Sequence, residues 1–165
     1  SMTKRYRGGE RSAATGGSLA HTGATTFVAY AEKLDACLLH EALETRWGFV
    51  GAANRYVEAE QPWVLAKAAK NGDAAADERL TGVLGDLLEA CRVIAFAAAP
   101  FMPGAAARAA AQLGIGYDYA DDGNDGPPLR DLLRWGALQP GGSIGPTEPL
   151  FPRLETEDAE GETGG

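Results

Sequence analysis

A proline at position 62 interrupts the clearest helical pattern in this sequence, and the break restricts how the chain can fold. Upstream of it the apolar residues recur at steps of three, four or seven: Leu34, Leu38, Leu39, Ala42, Leu43, Phe49, Val50, Ala53 and Val57. This spacing predicts one long helix from about Asp35 to Glu60, preceded by an approach turn or short helix over residues 27–33. Since proline lacks an amide donor and suits a first helical position, a new helix should run from Pro62 to Lys70.

The rest of the chain also consists of predicted helices separated by turns. Asn71-Gly72-Asp73 is typical of a turn, and Asp73 or Asp77 is suited to cap the next helix. The predicted helices cover residues 74–99, 103–113, which ends before a left-handed Gly114, and 129–135. A loop over 116–128 separates the last two. Residues 136–152 hold many glycines and prolines, which predicts an extended strap whose Ile144, Leu150 and Phe151 dock on the helices.

These elements predict an all-α fold, a bundle of four to five helices with an irregular, Gly/Pro-rich C-terminal strap. Ser1-Met2 looks like the scar of tag cleavage, and the Gly- and Ser-rich sequence up to about Thr25 is expected to be a flexible loop. We therefore divide the chain into three parts. They are residues 1–26 with the scar, the end of a first helix and the loop, residues 27–154 with the helical domain, and residues 155–165 with a disordered acidic tail.

The net charge of −8 is unevenly distributed. Residues 1–70 contain nine basic and seven acidic side chains, whereas residues 71–165 contain six and sixteen. A basic face that binds nucleic acid is therefore compatible with the acidic total, as is an ordinary solvated surface. No apolar run spans a bilayer and no signal segment opens the chain, so we expect a cytoplasmic protein without a membrane partner. Cys37 and Cys91 are expected to be buried free thiols.

No combination of residues in this sequence indicates a catalytic centre. The two histidines, His21 and His40, have no nucleophile or acid at a suitable spacing, and each is better explained as a surface or structural residue. There is no paired-His or Cys-x-x-Cys spacing for a metal. The Gly-Ile-Gly sequence at 114–116 leads into acidic residues that would repel a phosphate. We expect neither a metal nor a cofactor in this chain.

The helix break at Pro62 is the one place where the sequence indicates a binding site. An aromatic residue, Trp63, follows the proline directly, with Asn54, Arg55 and Lys67 nearby. An indole at such a junction can stack on an unpaired base, amide groups can read base edges and cations can hold phosphates. The alternative is structural, with Trp63 filling the core at a bend.

The stretch from Asn54 to Lys67 resembles the anticodon-binding domain of methionyl-tRNA synthetases, in which Asn-Arg-Tyr-(Val/Ile) precedes Pro-Trp-x-(Leu/Val)-Ala-Lys. Further motifs follow in the family's order. They are Lys4-Arg5-Tyr6-Arg7-Gly8-Gly9 upstream, then Cys91-Arg92-Val93-Ile94 through Pro100-Phe101-Met102-Pro103, Leu113-Gly114, Trp135-Gly136, Pro140-Gly141-Gly142, Ile144-Gly145-Pro146 and Pro149-Leu150-Phe151-Pro152-Arg153-Leu154-Glu155. The resemblance spans about residues 4–155.

The resemblance implies that Trp63 and Pro62 occupy the positions that meet the anticodon bases, with Trp63 stacking. Asn54, Arg55 and Lys67 are our additions from their place around the junction. The family also reads bases with an Asn and an Arg on its first helix, and those positions would precede Lys4. The family's HIGH-like and KMSKS-like active-site sequences are not present in this chain.

The implied function is therefore noncatalytic recognition of the CAU anticodon of methionine tRNA. ATP and methionine would bind a catalytic domain of a parent methionine-tRNA ligase, which would also be a partner of this chain. The alternative is a structural or protein-interaction module that no longer reads tRNA. Loss of the first helix is expected to expose an apolar groove through which copies of the chain could self-associate.

Overall fold

The computed structural model describes residues 1–116 and 127–151, and the described residues are helical apart from turns, the segment 8–17 and the C-terminal strap. The helices are α1 (Met2–Arg7), α2 (Ser18–Asp35), α3 (Leu39–Glu60), α4 (Pro62–Lys70), α5 (Ala74–Ala98), α6 (Pro103–Gln112) and α7 (Leu129–Leu132). The five longer helices, α2 to α6, form the bundle, and α1 and α7 are short. The predicted all-α class is confirmed.

Helix α2 corrects the prediction for the N-terminal part of the chain. Residues 18–26 were expected in a flexible loop and residues 27–33 in an approach turn or short helix, whereas both stretches lie in this one long helix. Leu19, Gly23, Phe27 and Tyr30 recur at helical spacing on its buried side. Gly23 allows close packing there, because an added Cβ would stand 3.0 Å from the Trp135 ring and 3.2 Å from the Phe49 ring, and these rings would have to shift. The Gly- and Thr-rich composition of this stretch predicted a loop where the structure has a packed helix.

The turn between α2 and α3 also differs from expectation, since α3 begins at Leu39 and not near Asp35. Cys37 makes this turn with a φ of 56°, in the left-handed region. Helices α2 and α3 pack on each other as a helical hairpin, consistent with their three-residue connection. Cys37 and Cys91 are both exposed, so the expectation of buried thiols is wrong.

The main core lies where α2 and α3 meet α5. Its aromatic centre is Phe27, which makes edge contacts with Tyr30 and Phe49, and Phe49 meets Trp135 in the same way. The Tyr30 hydroxyl donates to the carbonyl oxygen of Ala97 over 2.5 Å. A second, smaller cluster joins Leu88, Leu113, Leu138 and Ile144 beneath the strap.

The strap is held by a buried ion pair on α5. Glu89 and Arg92 lie 2.7 Å apart with almost no exposure. The Glu89 carboxylate accepts hydrogen bonds from the backbone amides of residues 136, 137 and 138, and Arg92 donates to the carbonyls of Leu132 and Arg134. These bonds satisfy backbone groups that the irregular strap cannot pair within itself. Helix α7 covers only Leu129–Leu132, which is shorter than the predicted helix over 129–135.

The predicted contacts of the strap are confirmed in part. Ile144 is buried and Leu150 is half-buried, but Phe151 is 68% exposed and does not dock. The segment 117–126 and the acidic tail lie outside the described residues. Within the described ranges, no helix is both long and apolar enough to cross a membrane. The boundaries proposed for the three parts of the chain stay predictions.

Candidate nucleic-acid interface

The helix break predicted at Pro62 is present and has a defined geometry. Gln61 separates α3 from α4 in a left-handed conformation, with φ 44° and ψ 61°. Its amide donates to the carbonyl of Val57, and its own carbonyl accepts from the amide of Val64 over 2.8 Å. Gln61 therefore ends one helix and begins the next, and Pro62 occupies the first position of α4.

Trp63 projects from the first turn of α4, and its side chain is 49% exposed. Lys67 follows one helical turn later and is also exposed, so the two side chains share a face of α4. Pro62 is fully buried. It sets the direction of the chain at the bend, and its ring is not available to a base at the surface.

Asn54 and Arg55 are both exposed on the last part of α3. Asn54 precedes Gln61 by seven residues, which places the two on one side of the helix about 10.5 Å apart along its axis. The Arg55 guanidinium runs back along α3 to the vicinity of Gly51, 3.4 Å from where a Cβ would stand. Arg55 therefore points away from the break in this conformation.

Two polar contacts hold the end of α3 against α5. The Tyr56 hydroxyl donates to Asp86 Oδ2 over 2.8 Å, and the Arg79 Nε donates to Glu60 Oε2 over 2.8 Å. Burial raises the pKa of Tyr56 above its usual range, and the hydrogen bond to the Asp86 carboxylate raises it further. Because both contacts lie within two turns of Gln61, they fix where the helix break and Trp63 stand.

Lys70 is a cation near the site that our sequence analysis missed. It is exposed and lies seven residues after Trp63 on the same face of α4. The spacing of Trp63, Lys67 and Lys70 in the sequence could have predicted that they share one face of the helix. Within residues 1–116 and 127–151, neither lysine forms an ion pair.

A second exposed indole belongs to Trp47 on α3, which is 61% exposed and carries the Arg46 guanidinium 5.3 Å from its ring centre. Trp47 lines an apolar groove of about 430 Å³ between α3, α5, α6 and the strap. The groove also contacts Ile94, Met102 and Leu150, and Ser1 lies at its edge.

The described residues contain no cluster of three metal-binding side chains. His40 is exposed and pairs with the carboxylate of Glu44 over 3.2 Å, while His21 is exposed on α2. Both histidines therefore stand at the surface, as the sequence indicated.

Comparison with known proteins identifies the helical domain that carries this site. Residues 7–163 match the family model of the anticodon-binding domain of methionyl-tRNA ligase. The chain belongs to this family. Among curated relatives of the methionyl-tRNA ligase family, the methionine–tRNA ligase of Fusobacterium nucleatum is 37% identical over 119 residues, covering 72% of this chain and 17% of the relative. That of Thermotoga maritima is 32% identical over 130 residues, covering 79% and 18%.

Solved structures of methionyl-tRNA synthetase agree with the fold. The free enzyme of Mycobacterium tuberculosis superposes with a TM-score of 0.76 at 27% identity, over 94% of this chain and 30% of that one. The same enzyme in complex with methionyl-adenylate gives a TM-score of 0.75, over 92% and 28%. The chain thus spans less than a fifth of the length of the two curated relatives.

Proposed function

We propose that this domain binds methionine tRNA by its CAU anticodon, with Trp63 stacking on an anticodon base. The observation that carries the proposal is the exposure of the Trp63 indole, which is 49% exposed at the start of α4 and does not fill the core. Base–aromatic stacking contributes about 1–3 kcal/mol per base. An indole held at a rigid helix junction loses little side-chain entropy on binding.

The groups around Trp63 suit the rest of an unpaired nucleotide. Lys67 lies one turn beyond the indole with its ammonium group unpaired within the described ranges, and it would engage a phosphate. The Asn54 amide would offer both a donor and an acceptor to a base edge. Arg55 would have to swing away from Gly51 to join them. The amino end of α4 adds positive potential beside Trp63.

We propose further that the domain belongs to a cytoplasmic methionine-tRNA ligase, whose catalytic domain would be its partner. In that arrangement, ATP and methionine bind the catalytic domain, and this chain contributes no group to the reaction. Its contribution is the free energy of anticodon binding. The chain matches 17% and 18% of the length of these two ligases, which supports a separate catalytic domain in the parent enzyme.

The test is tRNA binding by Trp63→Ala, Trp63→Phe and the matched control Trp47→Ala. Trp63→Ala is expected to weaken the affinity for methionine tRNA more than tenfold with an unchanged helical circular dichroism spectrum. Trp63→Phe should retain part of the affinity because a phenyl ring still stacks. Trp47→Ala, which removes another exposed indole at a distance in sequence from the helix break, should bind as wild type. Unchanged binding by Trp63→Ala would refute the stacking role.

The apolar groove favours a second candidate, an interaction module that self-associates. Trp47, Ile94 and Met102 line this surface, and contiguous apolar patches of this kind often mark binding sites. Sedimentation velocity over a wide concentration range tests it. Mass that rises with concentration in wild type but not in Trp47→Glu supports a second copy in the groove, whereas a monomer at every concentration contradicts it.

A further inference from the structure

The exposed face of α4 extends beyond the predicted site, which ended at Lys67, and continues to Lys70. Its solvent-exposed residues include Trp63, Lys67 and Lys70, which lie at spacings of four and seven residues along one side of the helix. Pro62 is fully buried, and residues 65, 66, 68 and 69 are half-buried. Helix α4 packs on α5. The aromatic ring and both ammonium groups therefore form one stripe along the free side of α4.

Three acidic residues near this stripe in sequence, Glu60, Asp73 and Asp77, are already occupied. Glu60 pairs with Arg79, and Asp77 pairs with Arg7 over 2.8 Å. The Asp73 carboxylate caps α5 by accepting from the amide of Ala76 over 3.0 Å. Neither lysine forms an ion pair within residues 1–116 and 127–151, so no contact there cancels their positive charge.

We propose that Lys67 and Lys70 hold successive phosphates of the RNA strand that leaves Trp63, so that its backbone runs along α4 towards the carboxyl end of the helix. This inference rests on the proposed function and adds the direction in which the bound RNA strand runs. Lys67 and Lys70 stand about 6 and 10.5 Å beyond Trp63 along the helix axis. About three stacked nucleotides, at roughly 3.4 Å each, cover the longer distance.

The structural alternative is that the lysines merely stabilise the end of α4. Basic side chains in the last turn interact favourably with the helix dipole, and Lys67 and Lys70 are the basic residues of that turn. This role predicts a change in helix stability when a lysine is removed, but no change in how RNA binding depends on salt. Phosphate contacts, by contrast, release counterions from RNA and make affinity fall as salt rises.

The experiment is a salt titration of methionine tRNA binding by the full 165-residue chain, wild type and variant. Lys67→Ala and Lys70→Ala should each flatten the slope of log affinity against log salt by roughly 0.7 to 1. Lys70→Arg should restore the wild-type slope because it keeps the charge. Lys4→Ala is the matched control, since Lys4 is an exposed lysine on α1, and its slope should equal that of wild type.

The results for Trp63→Ala and Lys70→Ala together show whether this inference alone fails or the proposed function fails as well. If Trp63→Ala weakens binding but Lys70→Ala has the wild-type slope, the strand does not follow α4 and this inference alone is overturned. If Trp63→Ala binds as wild type, or wild type does not bind methionine tRNA, the proposed function is overturned as well. A tRNA with an altered anticodon should show the same slope difference between wild type and Lys70→Ala, because phosphate contacts do not read sequence.

Discussion

The Tyr56 hydroxyl on α3 donates a hydrogen bond to the Asp86 carboxylate on α5 over 2.8 Å, and Asp86 is almost completely buried. The same carboxylate accepts from the backbone amide and the hydroxyl of Thr15, at 2.6 and 2.7 Å. One charged group therefore ties together α3, α5 and the segment that leads into α2. Three donors offset the desolvation of the carboxylate, and the arrangement fixes the end of α3 that carries the candidate interface.

Removing the Tyr56 hydroxyl should measurably destabilise the fold. Tyr56→Phe deletes one hydrogen bond to a buried charge, and such bonds contribute about 1.5–3 kcal/mol. Urea denaturation should show a lower free energy of unfolding by about this amount. Tyr6→Phe is the control, because the Tyr6 hydroxyl makes no hydrogen bond within residues 1–116 and 127–151, and it should stay within about 0.5 kcal/mol of wild type. Equal stability of Tyr56→Phe and wild type would show that the Asp86 network does not depend on this donor.

The raised pKa of Tyr56 also leads us to expect a loss of stability at alkaline pH. Its pKa in the folded chain is raised above the ordinary value of 10.0, first by burial and then by the bond to Asp86. The folded state therefore binds the phenol proton more tightly than the unfolded state does. This contribution is complete below the unfolded pKa and is lost as pH rises through the folded pKa. The free energy of unfolding, measured from pH 8 upward, should fall more steeply above pH 10 in wild type than in Tyr56→Phe. Parallel curves of this free energy against pH would contradict the raised pKa.

Two helical glycines should respond in opposite ways to alanine. A Cβ at Gly85 would overlap the carbonyl oxygen of Ala13, whereas one at Gly48 meets no atom within 4 Å. Gly85→Ala should displace the segment around Thr15 and lower the melting temperature. Gly48→Ala should raise the free energy of unfolding by about 0.5–1 kcal/mol through reduced backbone entropy of the unfolded chain. Thermal denaturation of both variants provides the comparison, and a tolerated Gly85→Ala would show that this segment is not held against α5.

The strap should loosen when Glu89 is removed. Glu89→Ala deletes the acceptor of three backbone amides and leaves Arg92 buried without its carboxylate, which costs about 3–5 kcal/mol. Hydrogen exchange should show lost protection at Gly136, Ala137 and Leu138. The exposed carboxylate Glu44 supplies the control, and Glu44→Ala should leave exchange in the strap unchanged. Retained protection in Glu89→Ala would mean that other contacts suffice to hold the strap.

The helices around the break were predicted well because local signals there act together. Pro62 both starts α4 and stops α3, the Asp73 side chain caps α5 as proposed, and Gly114 has the expected left-handed φ of 69°. Helix α2 was missed for a physical reason. Leu19 is the one large apolar residue among residues 18–26, which are otherwise mostly small or polar, and their helix packs against Phe49 and Trp135, which are distant in sequence.

The same division applies to the candidate interface and to the strap. Sequence alone determined the bend, the indole next to it and the family, because proline chemistry and ordered motifs are local features of the chain. Only the tertiary structure decided which of these groups are accessible, burying Pro62, exposing Trp63 and turning Arg55 back towards Gly51. It likewise placed Glu89 and Arg92 under the strap. The reason is that burial and hydrogen bonding depend on which distant segments meet, and in this chain α5 is the helix on which they meet.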